Sequence, residues 1–98
     1  MPKGYWIARV DVADEERYKN EYIPANAEAF KKYKAKFVIR AGKFDAVEGV
    51  ARSRNVVIEF PSYEVAVECY NSPEYAIARD IRQKFSEGEL VIIEGYDD

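Results

Sequence analysis

Glu59-Phe60-Pro61-Ser62-Tyr63, running on to Tyr70-Asn71-Ser72-Pro73-Glu74-Tyr75, is the stretch whose reading settles the architecture. Ahead of it Val56-Val57-Ile58-Glu59-Phe60 is β-branched and aromatic and reads as a strand. Pro61 has no N–H to continue a ladder, and the Ser62 hydroxyl is suited to cap a helix that starts there. Ser72-Pro73-Glu74 repeats the start signal: a capping hydroxyl, a proline at the first helical position and a carboxylate near the positive helix end. A strand is therefore followed at once by a helix that restarts at Ser72.

Working outward, Tyr5 to Val12 alternates as a first strand, with Trp6, Ala8, Val10 and Val12 on one face and Tyr5, Ile7, Arg9 and Asp11 on the other. Asp14 offers a helix cap, and Tyr18, Tyr22, Ala25, Ala29, Phe30 and Tyr33 make one stripe of a 3.6-residue period. Pro24 predicts a kink or break near Glu21 to Ile23. Phe37 to Phe44 and Asn55 to Phe60 read as the second and third strands, with Val47-Glu48-Gly49-Val50 near the centre of a hairpin. That hairpin would set Arg40 roughly opposite Ile58 or Glu59, and a slip of one residue would reverse the faces. Gly42 suggests a bulge and Gly49 a turn. Ser62 to Tyr70 and Pro73 to Phe85 form the interrupted second helix, its inner face drawn through Ala66, Cys69, Tyr70, Ile77, Ala78, Ile81 and Phe85. Gly88 is a plausible stop, Leu90 to Glu94 a fourth strand, and Gly95 to Asp98 a tail.

The order strand, helix, strand, strand, helix, strand is the ferredoxin-like α+β arrangement, βαββαβ, with a four-stranded antiparallel sheet and two helices on one face. Yet Phe37-Val38-Ile39, Val56-Val57-Ile58 and Leu90-Val91-Ile92-Ile93 are apolar on both faces. At about 25 cal/mol per Å², leaving several hundred Å² of the second face wet forgoes on the order of 5–10 kcal/mol, comparable to a domain's whole stability. A second copy of the chain is the expected cover, giving a homodimer through the sheet face.

The bulk numbers bound the function classes. A chain of 98 residues is expected to be one domain, 1–98, burying roughly 65% of its unfolded surface. The 48% hydrophobic and 34% charged residues are an ordinary globular mix. No apolar run approaches the ~20 residues of a membrane span, and no long apolar leader follows Met1, so a cytoplasmic protein without a membrane partner is expected. One cysteine, Cys69, fits a reducing compartment. A net charge of -3 with interspersed signs gives no nucleic-acid footprint, and Lys31-Lys32-Tyr33-Lys34-Ala35-Lys36 reads as a solvated helix end.

Several segments resemble the bacterial domain-of-unknown-function family numbered 1330: Tyr5-Trp6-Ile7-Ala8-Arg9-Val10, the Tyr18, Tyr22, Asn26, Phe30 spacing, Val38-Ile39-Arg40-Ala41-Gly42, Glu48-Gly49, Val57 to Ser62, Tyr70 to Tyr75 and Ile93-Glu94-Gly95. The likeness spans 4–96. It implies a dimeric α/β-barrel, in which ferredoxin-like subunits pack sheet to sheet as in small monooxygenases, muconolactone isomerases and stress-responsive barrel proteins; the family itself has no settled activity. Lys34-Ala35 departs from the glycines the family usually places before its second strand.

Candidate chemistry is sparse. Arg40 interrupts an apolar strand, where a charge is costly unless paired or wetted, so it either anchors a carboxylate or enolate-like oxygen or pairs with Glu59, Glu94 or the other subunit. With no histidine in the chain, Glu59 and Glu94 are the candidate proton carriers, or else neutralise Arg9, Arg40 or Arg54. Trp6, Tyr22, Tyr70 and Tyr75, with Arg40, are candidate ligand-binding residues for a planar molecule, against the plain alternative that the aromatics are core. Ser62 and Ser72 are caps, Cys69 a buried thiol, and no metal or phosphate-loop spacing is present. The function expected is a small enzyme without cofactor, monooxygenase- or isomerase-like, acting on a small anionic or aromatic molecule. The alternatives are a non-catalytic ligand-binding or stress-related module and a structural homodimer.

Overall fold

The computed structural model describes residues 2–96; Met1 and the tail's Asp97 and Asp98 lie outside them. Four strands, β1 (Gly4–Val12), β2 (Lys36–Arg40), β3 (Arg54–Phe60) and β4 (Ser86–Glu94), form one antiparallel sheet in the order β2-β3-β1-β4, the ferredoxin-like order. Helices α1 (Glu15–Arg17), α2 (Ile23–Lys32), α3 (Tyr63–Tyr70) and α4 (Pro73–Phe85) connect them. The extents of 37 × 35 × 17 Å are those of one helix layer on one sheet layer.

The alternation read for β1 sets the core. Trp6 lies opposite Ile58 and Ile92, and Val10 opposite Arg54 and Gly88, all on the helix side; Tyr5, Ile7 and Arg9 with their partners face outward. Trp6 is the hub: its ring meets Phe30, Phe60, Tyr70 and Tyr75 at centroid distances of 4.8–5.8 Å, and its Nε1 donates to the Ala66 carbonyl at 2.9 Å. β2 is shorter than the expected Phe37 to Phe44, because the chain leaves the sheet after Arg40. The bulge falls at Val38, between Phe37 and Ile39, and not at Gly42. Residues 41–53 form an exposed loop that turns at Gly49, where φ is +73°.

The three caps are in place. Asp14 accepts from the Arg17 amide, Ser62 from Val65 and Ser72 from Tyr75, all within 3.1–3.2 Å. Ser72 also donates to the Cys69 carbonyl at 2.7 Å and so staples α3 to α4. Near Pro24 the helix widens and does not break: Tyr18–Tyr22 is π-helical, with the Ile23 amide reaching the Tyr18 carbonyl. Proline cannot donate to the residue four back and its ring crowds that carbonyl, and the wider turn relieves both. On α4 the buried line is Tyr75, Ala78 and Arg82; Ile77, expected inside, is 66% exposed. Gly88 does not end the helix. α4 runs straight into β4, and a Cβ at Gly88 would collide with the Arg9 carbonyl and Val10.

The outer sheet face divides in two. Ile7, Val38, Ile39, Val91 and Ile93 stand exposed from its centre toward the Tyr5 end. At the other, Arg52 bridges Asp11 at 2.9 Å and Glu89 at 2.6 Å and ties the returning loop to the sheet. No helix among the described residues is long and apolar enough to cross a membrane.

Candidate functional site

The bulge decides which way Arg40 points. Without it, regular pairing from Phe37 against Ile58 would turn Arg40 outward; with Val38 looped out, Arg40 lies opposite Val56 on the helix side. The sequence-based pairing with Ile58 or Glu59 is thereby corrected. At this end of the sheet β1 finishes at Val12, β3 begins at Arg54, and the π-helical turn presents Tyr18 and Tyr22 from above. Together they bound an open groove of about 450 Å³, lined by Val12, Glu15, Tyr18, Lys19, Arg40 and Arg54 among others. Behind it, between sheet and helices, lies a chamber of about 30 Å³, enough for roughly one water-sized group. Tyr18, Ile23, Arg40 and Arg54 line both spaces, and Trp6, Tyr22, Asn26 and Arg82 line the chamber.

Charge is distributed unevenly. A chain of net charge -3 gathers Lys19, Arg40, Arg54 and Arg82 around this cleft, where among the described residues Glu15 is the one carboxylate. None of the three arginines enters an ion pair among the described residues. Arg40 lies over the Phe37 ring at 4.3 Å and Arg54 over Tyr18 at 5.4 Å. The Nε atoms of Arg54 and Arg82 are buried without a hydrogen-bond partner. Arg82 as a whole is only 8% exposed. An orphaned buried donor costs roughly 1–3 kcal/mol, and more when it is charged, so two in one cleft call for a physical reason.

The phenols supply neutral donors. Tyr22 and Tyr75 share a 2.8 Å hydrogen bond between their hydroxyls. Burial pushes the Tyr22 phenol well above its ordinary range, raises Tyr75, and lifts Tyr18 to about 12. All three therefore stay protonated at neutral pH. The thiol of Cys69, also pushed up to about 12 by burial, faces the Ala29 carbonyl, away from the chamber lining. Among the described residues no three His, Cys, Asp or Glu side chains gather to hold a metal ion.

Of the residues singled out in the sequence, Trp6, Tyr22 and Arg40 come together on the chamber, while Tyr70 and Tyr75 pack against the Trp6 ring behind it. Glu59 and Glu94 do not join them. Glu59 lies on the outer face opposite Tyr5, takes hydrogen bonds from Lys3 at 3.1 Å and the Tyr5 hydroxyl at 3.3 Å, and is held below the usual carboxylate range, chiefly by Lys3. Glu94 is exposed opposite Gly4 on β4, the far edge of the sheet from Arg40, three strand spacings or about 14 Å across the sheet and four residues further along it. Arg54, Arg82, Tyr18 and Asn26 also line the cleft and are not among the ligand-binding candidates of the sequence. Arg54 shares the inward alternation of Val56, Ile58 and Phe60, and Arg82 follows Tyr75 and Ala78 at helical spacing. A charge on a buried stripe was the available signal.

A ferredoxin-like α+β subunit with a cationic cleft between its helices and one end of its sheet is the class of protein these observations define. The chain belongs to the family described as Domain of unknown function (DUF1330), whose model matches residues 3–96. No curated protein matches it. Among solved structures, a protein of unknown function from Rhodopseudomonas palustris is similar at a TM-score of 0.77 and 17% identity, over 99% of this chain and 85% of that one. SnoaB, a cofactor-independent oxygenase from Streptomyces nogalater, has a TM-score of 0.71 at 10% identity, over 100% and 97%. A protein from Bacteroides fragilis described as dimeric, of unknown function and ferredoxin-like fold, has 0.54 at 17% identity, over 94% and 95%. At these identities the likeness is one of fold.

Proposed function

We propose that the chain takes up a compact anionic, planar molecule in the cleft between helices and sheet and transforms it without a bound cofactor, working as a homodimer closed over the outer sheet face. The observation that carries this reading is the pair of buried Nε donors without a partner, on Arg54 and Arg82, in a cleft where, among the described residues, four cations face one carboxylate. Such a site favours negative charge on oxygen: guanidiniums and neutral phenols stabilise an enolate or phenolate more than its protonated parent. Arg40 keeps its role as an anchor for an anion. The proton-moving role considered for Glu59 or Glu94 passes to Glu15, the carboxylate that lines the groove. Isomerase-like chemistry then amounts to removing and returning a proton beside a carbonyl whose oxygen the arginines hold. The Streptomyces nogalater protein of the same fold, described as a cofactor-independent oxygenase, supports the enzyme reading by analogy alone. For the homodimer, support comes from the exposed Ile7, Val38, Ile39, Val91 and Ile93 and from the Bacteroides fragilis protein described as dimeric.

One observation favours the second reading, a binding or stress-related module without turnover: no carboxylate lines the inner chamber. The test is a panel of small planar acids and their neutral isosteres, scored by melting temperature and by product. Acids at about 100 times Kd should stabilise the wild type by roughly 2.7 kcal/mol. Arg40→Gln with Arg54→Gln should remove that response. Accumulating product selects the enzyme, and a response without product selects the module. Equal responses to acids and isosteres contradict both.

A further inference from the structure

The cleft has two compartments of unequal size, and they make different demands on an occupant. The inner chamber, about 30 Å³, admits one atom-sized polar group. Around it stand Arg82, 8% exposed with an unpartnered Nε, the Tyr22 hydroxyl already bonded to Tyr75, and Asn26, 7% exposed. The outer groove, about 450 Å³, has room for a six-membered ring and its substituents. It offers Arg40 and Arg54 at an open end, where a two-oxygen acid can accept from both guanidinium forks and keep part of its hydration.

We infer that the ligand is a planar hydroxy acid bound at two points, with a phenolic or enolic oxygen in the inner chamber and its carboxylate outside on Arg40 and Arg54. This deepens the cleft reading above and rests on it. The polarity follows from size: a carboxylate brings two oxygens and does not fit a space for one, whereas a single hydroxyl does. It follows also from donors. In the chamber the Arg82 Nε is a donor without a protein acceptor and favours the deprotonated oxygen, and with Tyr75 as the donor of the Tyr22–Tyr75 bond the Tyr22 proton, kept by burial, is free for that oxygen. Between the two poles the ring lies against Tyr18 and Ile23, which line both compartments. The orphaned Nε of Arg54, at the junction, completes the set of donors without a protein acceptor.

Titration calorimetry with four probes tests this: phenol, benzoate, 3-hydroxybenzoate and 4-hydroxybenzoate. At least one hydroxybenzoate should bind the wild type about tenfold or more tighter than benzoate and than phenol. Tyr22→Phe, which keeps the ring, and Arg82→Lys, which keeps the charge, should bring that hydroxybenzoate down to the level of benzoate while benzoate itself changes by less than about twofold. Arg40→Gln with Arg54→Gln should bring it down to the level of phenol; if that double variant does not fold, Arg40→Gln alone should give most of the loss. If hydroxybenzoates and benzoate bind the wild type equally, or if Tyr22→Phe keeps the advantage, the two-point inference is overturned and the cleft reading stands. Failure of all four probes to bind overturns the cleft reading itself.

Discussion

The hydroxyl oxygens of Tyr22 and Tyr75 stand 2.8 Å apart, one on the π-helical turn and the other near the start of α4, with 7% and 0% of each residue exposed. The bond joins the two crossover helices at the back of the cleft. Burial is the main reason both phenols, and Tyr18 beside them, hold their protons above the ordinary tyrosine range.

An alkaline limit follows from that arrangement. In the unfolded chain these phenols lose protons near 10, whereas in the folded chain Tyr18 does so near 12 and burial raises Tyr22 well above its ordinary range. Cys69 acts in the same direction, from 9.0 unfolded to about 12 folded. Above these unfolded values the unfolded state has released more protons, so stability is complete below pH ~9 and is lost as pH climbs toward ~12. Phenolate absorbance recorded beside circular dichroism should show the signals of Tyr18, Tyr22 and Tyr75 appearing together with unfolding. Their ionisation in a fully folded protein near pH 10 would contradict the burial described.

Arg82 should be a costly residue for the fold. Removing a buried donor that has no acceptor takes away a desolvation penalty, and methionine refills the apolar volume of the stem. Arg82→Met is expected to leave stability unchanged or to raise it by about 1–2 kcal/mol in urea denaturation, while the advantage of a hydroxybenzoate over benzoate disappears. A loss of more than about 2 kcal/mol would show that the guanidinium serves the fold.

Ile7 lies at the centre of the outer face, opposite Val57 on one side and Val91 on the other. If a second copy covers this face, a charge there is trapped against apolar surface. Sedimentation should give a dimer for the wild type, and for Ile7→Lys a monomer or an association weakened on the order of a hundredfold. A wild type that remains monomeric at high concentration contradicts the homodimer.

Lys34 has a positive φ of 59° just before β2. That conformation costs a non-glycine residue roughly 1–2 kcal/mol, partly offset by glycine's larger entropy when unfolded. Lys34→Gly should therefore stabilise the chain by about 0.5–1 kcal/mol, read as a rise in melting temperature. A fall would mean that the Lys34 side chain makes up for its backbone.

The strands, caps and helix order were legible because each has a local cause. Ser62 and Ser72 cap where their neighbours say they must, and the alternation of β1 places Trp6 and Val10 inside. Pro24 announced a perturbation, though the choice of a π turn over a break depends on packing against α4. The Val38 bulge left no local mark, since Phe37-Val38-Ile39 has no glycine or polar interruption, and so the face of Arg40 could not be read. The candidate site was half legible. Trp6, Tyr22 and Arg40 carried recognisable chemistry, but Arg54 and Arg82 gain theirs only from the missing partners around them, a property of the assembled core.

The most direct measurement is a high-resolution crystal structure of the protein with the molecule it retains from cells, or with the tightest acid of the panel. An oxygen of that molecule should lie about 2.7–3.2 Å from the Arg82 Nε, with the acid group on Arg40 and Arg54. A chamber in which Arg82 turns to a protein acceptor, with the acid bound elsewhere or not at all, would contradict it.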